Sequence, residues 1–142
     1  MELGEEFDSI TEKIIGRAMR VHSALGPGLL ESAYETCMVH ELTKAGLTVA
    51  RQVTMPIRYD GLKLDAGYRL DLLIENKIVV ELKTVERFEP IHTAQLLSYL
   101  KLGNYRLGLL LNFNVVHFRN GIRRVVYNPS SASSASSAVK SL

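Results

Sequence analysis

The stretch Tyr68-Arg69-Leu70-Asp71-Leu72-Leu73-Ile74-Glu75-Asn76-Lys77-Ile78-Val79-Val80-Glu81-Leu82-Lys83 decides the fold. Two apolar runs, the second rich in β-branched residues, flank a short polar segment, which is the pattern of a hairpin. Set into those runs are Asp71, Glu81 and Lys83, charges that are costly to take out of water unless they are paired or bind a metal. Side chains alternate along a strand, so Glu81 and Lys83 share a face. Opposed residues of an antiparallel pair project to one side. For Asp71 to meet Glu81, Ile74 must pair with Ile78 across the loop Glu75-Asn76-Lys77. That register predicts Arg69, Asp71 and Leu73 on one face with Val79, Glu81 and Lys83, and Leu70, Leu72, Val80 and Leu82 on an apolar opposite face. A loop one residue shorter would put Asp71 and Glu81 on opposite faces. A carboxylate pair suits a hard divalent cation, and a neighbouring ammonium can position or deprotonate a water. Together they suit phosphodiester hydrolysis. The plainer reading is an ion pair on an open sheet face, worth about 0–1 kcal/mol. The apolar sequence around the cluster argues against so exposed a face.

Downstream, the spacing predicts a helix from Pro90, a natural first-turn residue, to Gly103. Leu107 to Phe113 reads as a strand covered on both faces. Val115 to Arg119 and Ile122 to Tyr127 flank Asn120-Gly121, a hairpin signal. Upstream, Leu47 to Val53 and Met55 to Tyr59 read as strands, with a turn at Asp60-Gly61 before Leu62. Ser9-Ile10-Thr11-Glu12 has capping-box spacing, and Phe7, Ile10, Ile14, Ala18 and Val21 form a helical apolar stripe. Gly26-Pro27-Gly28 breaks the chain before a second helix from about Leu29 to Ala45, stopped by Gly46. The expected architecture is α/β: helices on a mixed central sheet, with an appended hairpin. Residues 1–128 form one domain in this reading, and 129–142 an unordered Ser/Ala-rich tail.

Net charge is only +2, so any nucleic-acid contact must come from a local patch rather than from overall charge. The single cysteine, Cys37, fits a reducing cytoplasm. No apolar run approaches the roughly 18 residues of a membrane span, and the acidic start has no secretion-signal core. A cytoplasmic protein with no membrane partner is expected.

Other residues extend the candidate site. Glu31 shares a helical face with Tyr34, Met38 and Leu42, so it is expected to point toward the protein; a first-turn acid complementing the helix dipole is the alternative. Gln95 and Tyr99 are i, i+4 neighbours with His92 on the same side, either a solvated helix face or a polar edge turned toward the carboxylates. Arg51, Arg106, Arg119, Arg123 and Arg124 are either a phosphate-contacting patch or solvated surface charges. Cys37 and His40 fall short of a zinc site, and Cys37 reads as a core residue.

Gly28-Leu29-Leu30-Glu31-Ser32-Ala33-Tyr34 resembles the signature of the GxxExxY protein family. Gly67-Tyr68-Arg69-Leu70-Asp71-Leu72-Leu73, Val79-Val80-Glu81-Leu82-Lys83, Ala94-Gln95-Leu96-Leu97-Ser98-Tyr99-Leu100 and Gly108-Leu109-Leu110-Leu111-Asn112-Phe113 match further blocks of it. That family is similar to the PD-(D/E)XK nuclease superfamily, in the branch resembling RecB-type and Cas4-type nucleases. The resemblance implies a restriction-endonuclease-like fold, with Glu31 as the helix glutamate, Asp71 as the metal-binding aspartate and Glu81 with Lys83 as the E-x-K pair. Gln95 and Tyr99 match the Q-x-x-x-Y helix motif. It further implies Mg²⁺ or Mn²⁺ held by Asp71, Glu81 and the Leu82 carbonyl with Glu31, and Lys83 acting on the attacking water. The implied partner is DNA, with RNA second, and the implied assembly a homo-oligomer. The competing expectation is a catalytically silent nuclease-like scaffold, in which the cluster serves as a polar anchor.

Overall fold

The computed structural model describes residues 3–65, 67–129 and 137–141. Helix α1 (Glu5–Leu25) opens with Glu5, Glu6 and Asp8 in its first turn, where acids complement the helix dipole. Ser9-Ile10-Thr11-Glu12 therefore lies inside the helix and caps nothing, because this acidic turn extends the helix upstream. Ile10, Ile14, Ala18 and Val21 are buried, as their spacing requires. Helix α2 (Glu31–Lys44) buries Tyr34, Met38 and Leu42. Helix α3 (Pro90–Gly103) starts with proline in its first turn and a Glu89–His92 capping box, which draws His92 into the cap.

The strands are β1 (Val49–Thr54), β2 (Ile57–Tyr59), β3 (Leu62–Leu64), β4 (Arg69–Ile74), β5 (Ile78–Lys83), β6 (Leu107–Asn112), β7 (Ile122–Tyr127) and β8 (Ser137–Ser141). The main sheet runs β1-β4-β5-β6-β7-β8, and β2 and β3 form a separate hairpin. Only β5 and β6 pair in parallel among the described residues, with α3 as their crossover. One core lies between the sheet and α1 with α2, and includes Leu72, Ile74, Val80, Leu82, Leu109 and Phe113. The other lies beneath α3 and includes Leu73, Val79, Leu96, Leu100 and Leu110. Covered on both faces, β6 is buried along its whole length.

Strands β4 and β5 take the anticipated register, Ile74 opposite Ile78, Leu73 opposite Val79 and Leu72 opposite Val80. One facing differs from expectation. Leu70 joins the core under α3 instead of that of Leu72 and Leu82. In β1, likewise, Val49 packs on the α1–α2 side and Val53 on the α3 side. The β1–β4 pairing skips Gln52 and Asp71, and Gln52 takes a φ of 48°. Both strands reverse their facing at that point.

The hairpin expected at Asn120-Gly121 is absent. Residues 115–117 form bends, Phe118–Gly121 is a 3-10 turn, and β7 pairs directly with β6. Phe118 causes this: it is buried against Phe113 and His22, at ring distances of 4.9 and 5.1 Å, which a strand along the edge would not allow. Gly121 serves close approach rather than a hairpin, since a Cβ there would lie 2.2 Å from the Asn112 carbonyl oxygen. The chain end also differs. Part of the expected unordered tail, 130–136 and 142, lies outside the described residues, but Ser137–Ser141 pairs antiparallel with β7 as strand β8.

Candidate functional site

The site forms where the β4–β5 ladder opens beyond Leu72 and Val80. In place of the next backbone pairs, the Asp71 N–H donates to Glu81 Oε2 and the Leu82 N–H donates to Asp71 Oδ2, each at 2.8 Å. The ladder stops short of the expected Asp71–Glu81 pair, but both carboxylates come to the same gap, each oriented by an amide of the opposite strand. Within a strand, a residue's N–H and C=O point to the same side, so the Leu82 carbonyl also opens on this gap.

Glu81 is 5% exposed. Burial, and then the neighbouring Asp71 charge, push its pKa up to about 8, against the lowering effect of the Asp71 amide and of Lys83. Asp71 is half-buried, and its pKa is also raised, chiefly by desolvation. Lys83, half-buried at the end of β5, favours the ionised form of both.

Glu31 occupies the first turn of α2, beside this gap. The turn before it is built from the glycine and tyrosine of the Gly-x-x-Glu-x-x-Tyr pattern. Gly28 takes a φ of 100°, which favours glycine. The Tyr34 hydroxyl donates to the Gly26 carbonyl at 2.5 Å and accepts from the Leu29 N–H at 3.2 Å. The Tyr34 ring stacks on Phe113, with centroids 4.5 Å apart. Glu31 itself is exposed, unlike Tyr34, Met38 and Leu42, so the inward facing expected of it is not found. It still accepts a hydrogen bond from the Thr84 backbone and feels the charges of Lys83 and Asp71; partial desolvation is the main cause of its raised pKa. No three His, Cys, Asp or Glu side chains among the described residues lie close enough to hold one metal ion, so Glu31 does not close a three-carboxylate cluster.

On the other side stands α3. Tyr99 is nearly buried, and its pKa is raised by desolvation and then by the charge of Glu81. Gln95 is exposed and hydrogen-bonds Tyr99. The structure thus gathers Asp71, Glu81, Lys83 and Tyr99, with Gln95 and Glu31 at the margins. The arginines are dispersed: Arg51 on β1, at one edge of the sheet, pairs with Glu35 of α2, and Arg124 on β7, toward the other edge, pairs with Asp8 of α1.

Two neighbours of the site were not singled out from the sequence. The Gln52 side chain hydrogen-bonds Asp71 and also donates from Nε2 to Glu35 Oε1 at 2.6 Å. Arg51 donates to the other Glu35 oxygen at 3.0 Å. Glu35 stands one turn beyond Glu31 on α2, a spacing that could have suggested it; nothing in the sequence signals the left-handed backbone of Gln52.

The donor set fits a divalent cation. It offers two oriented carboxylates and a backbone carbonyl, all hard oxygen donors, in a place where three acids with raised pKa values share one lysine.

A mixed sheet flanked by helices, splaying around an acid–acid–lysine cluster, defines a nuclease-like α/β class. The family follows directly: the model of the PD-(D/E)XK nuclease superfamily matches residues 8–125, and the chain belongs to that superfamily, with its restriction-endonuclease-like fold. Proteins of this superfamily generally use divalent metals, and the fold implies nucleic-acid binding. Neither the comparison with curated proteins nor that with solved structures gave a match. No helix among the described residues is long and apolar enough to cross a membrane.

Proposed function

We propose that this protein is a Mg²⁺- or Mn²⁺-dependent nuclease that hydrolyses DNA phosphodiester bonds, as a GxxExxY-type member of the branch resembling RecB-type and Cas4-type nucleases. The observation that carries the reading is the reciprocal amide bonding of Asp71 and Glu81 at the splayed strand ends, with Lys83 beside them. Asp71, Glu81 and the Leu82 carbonyl are the residues to hold the cation, and Glu31 would reach it through water. When bound, the cation supplies Lewis-acid polarisation of the phosphate and charge neutralisation.

The chain's own residues do the rest. Lys83 holds the attacking water and shares in moving its proton. Tyr99 braces Glu81 from α3, and Gln95 orients Tyr99 or contacts a phosphate. The same reading expects a cytoplasmic homo-oligomer.

The experiment is incubation of the purified protein with single- and double-stranded DNA, and with RNA, in Mg²⁺ and in Mn²⁺. Cleavage that EDTA stops is expected for DNA. An inert protein under all of these conditions would overturn the nuclease reading in favour of a binding scaffold.

A further inference from the structure

We infer that the groove between α3 and the β2–β3 hairpin seats an unpaired nucleobase of the strand being cut, so that the substrate is single-stranded nucleic acid. This rests on the nuclease reading above and deepens it. The groove has a volume of about 430 Å³, and its lining includes Ile57, Tyr68, Ile91, Gln95, Ser98 and Tyr99. It adjoins the acidic cluster, because Tyr99 lies near enough to Glu81 and Asp71 for their charges to act on it. Tyr68 immediately precedes β4, the strand that carries Asp71.

The two tyrosine rings are 6.2 Å apart and tilted by 58°, which leaves no slot between them for a third ring. Instead, Tyr99 at 7% exposure braces Tyr68 at 42%, and Tyr68 has ring surface to offer. A base stacked on an aromatic ring is bound largely without regard to sequence. The Gln95 amide and the Ser98 hydroxyl supply donors and acceptors for the edge of that base. A duplex keeps its bases paired and stacked, so it has no base to offer such a seat.

Three cations of the β2–β3 hairpin and of β4 are available to a phosphate backbone. Arg58, Lys63 and Arg69 are exposed, and none has a carboxylate partner among the described residues. Arg17, Arg20, Arg51, Lys77 and Arg124, by contrast, are all paired with acids. Alternation along the hairpin puts Arg58 and Lys63 on one face, with Ile57, Tyr59, Leu62 and Leu64 on the other. Ile57 lines the groove, so Arg58 and Lys63 face away from it, and Arg69, next to Tyr68 in the chain, is the cation closest in sequence to the seat.

The test uses the Lys83→Ala chain in Mn²⁺, so that cleavage does not consume the probe. Binding of labelled oligothymidine and of a blunt duplex of equal length is followed by fluorescence anisotropy. Tighter binding of the single strand is expected, with an affinity loss of about tenfold or more for Tyr68→Ala and near-complete retention for Tyr68→Phe. Mn²⁺ affinity, measured by calorimetry, should stay unchanged in both variants. Mn²⁺ binding with a single-strand affinity indifferent to Tyr68 would overturn the base seat and leave the nuclease reading standing. Loss of Mn²⁺ binding by the Asp71–Glu81 cluster, with Tyr68-dependent single-strand binding retained, would overturn the nuclease reading alone. Dissociation of an oligomer by Tyr68→Ala would assign the face to a second copy of the chain and overturn the seat.

Discussion

Asp71 and Glu81 hold each other's strands: the amide of Asp71 is bonded to the Glu81 carboxylate, and the Asp71 carboxylate to the amide next to Glu81, both at 2.8 Å. The backbone ladder stops there, and two acids take over from it. A site of this kind is organised before any cation arrives, because the strands that open it also fix the rotamers of its carboxylates. Its cost is electrostatic: burial raises both pKa values, and the Asp71 charge raises that of Glu81 further.

The first prediction separates the chemistry from cation binding. Lys83→Ala should lower cleavage about 100-fold or more, in the range of lost general acid–base assistance, with the fold and Mn²⁺ affinity retained. Asp71→Asn removes an anionic ligand and should weaken Mn²⁺ binding about tenfold or more. Titration calorimetry and single-turnover cleavage read the two effects separately. Equal loss of Mn²⁺ affinity in both variants would remove the distinct role given to Lys83.

The second concerns pH. The Glu81 pKa is raised from 4.5 to about 8, so between those values the folded protein holds a proton that the unfolded chain has lost. This contribution to stability is fully present below the lower value and is lost as pH rises through the upper one. Glu81→Gln should therefore stabilise the metal-free protein in mildly alkaline buffer, by on the order of a few kcal/mol. Denaturant titrations at acid and alkaline pH check the sign. A bound cation must displace the same proton, so Mn²⁺ affinity should rise with pH up to about 8, with about one proton released near neutral pH. Calorimetry in buffers of different ionisation enthalpy measures that proton.

Where sequence period and local chemistry decide, the fold was legible. The Ile74–Ile78 register follows from the need of two costly charges to meet, and Pro90 and Gly103 bound α3 as their local preferences require. The misreadings share another cause. Asn120-Gly121 looks like a hairpin, but the buried Phe118 ring decides its conformation. Leu70 alternates correctly with Leu72 in sequence, yet the reversal at Gln52 turns it under α3. Glu31 is legible as a first-turn acid, but its exposure depends on the turn that Tyr34 closes. Contacts between distant segments set all three, and periodicity does not carry them.

Gln52 gives the third prediction. Its left-handed backbone costs about 1–2 kcal/mol for a residue with a side chain, while that side chain bridges Asp71 and Glu35. Gln52→Ala keeps the strain and loses the bridge; Gln52→Gly loses both. The glycine variant should be more stable than the alanine variant by about 1 kcal/mol. Both should weaken Mn²⁺ binding several-fold. Thermal melts paired with Mn²⁺ titrations test this, and unchanged Mn²⁺ affinity would reduce the bridge to a structural detail.

A fourth prediction addresses the turn before Glu31. Tyr34→Phe keeps the ring on Phe113 but removes the hydroxyl that joins Gly26 to Leu29. Leaving those backbone groups unpartnered should cost about 1–3 kcal/mol. Cleavage should fall as well, because the turn positions Glu31. Glu31→Gln in the Tyr34→Phe background should then cost less activity than it does alone, a non-additivity that a double-mutant cycle measures.

The last concerns the end of the chain. Strand β8 covers the outer edge of β7, yet the residues from 129 onward include few large apolar side chains to add burial. Removing everything after Asn128 should change the melting temperature by no more than about 2–4 °C, the scale of roughly 1 kcal/mol in a domain of this size. The larger effect should be on association. Without β8, the donors and acceptors of β7 that face outward are open to another chain, and Ile122 to Tyr127 becomes an exposed β-rich edge. The truncated protein should therefore self-associate with rising concentration while the full chain does not change state, as light scattering and gel filtration would record. A truncated protein that stays in the same state as the full chain at every concentration would show that β8 does not guard this edge.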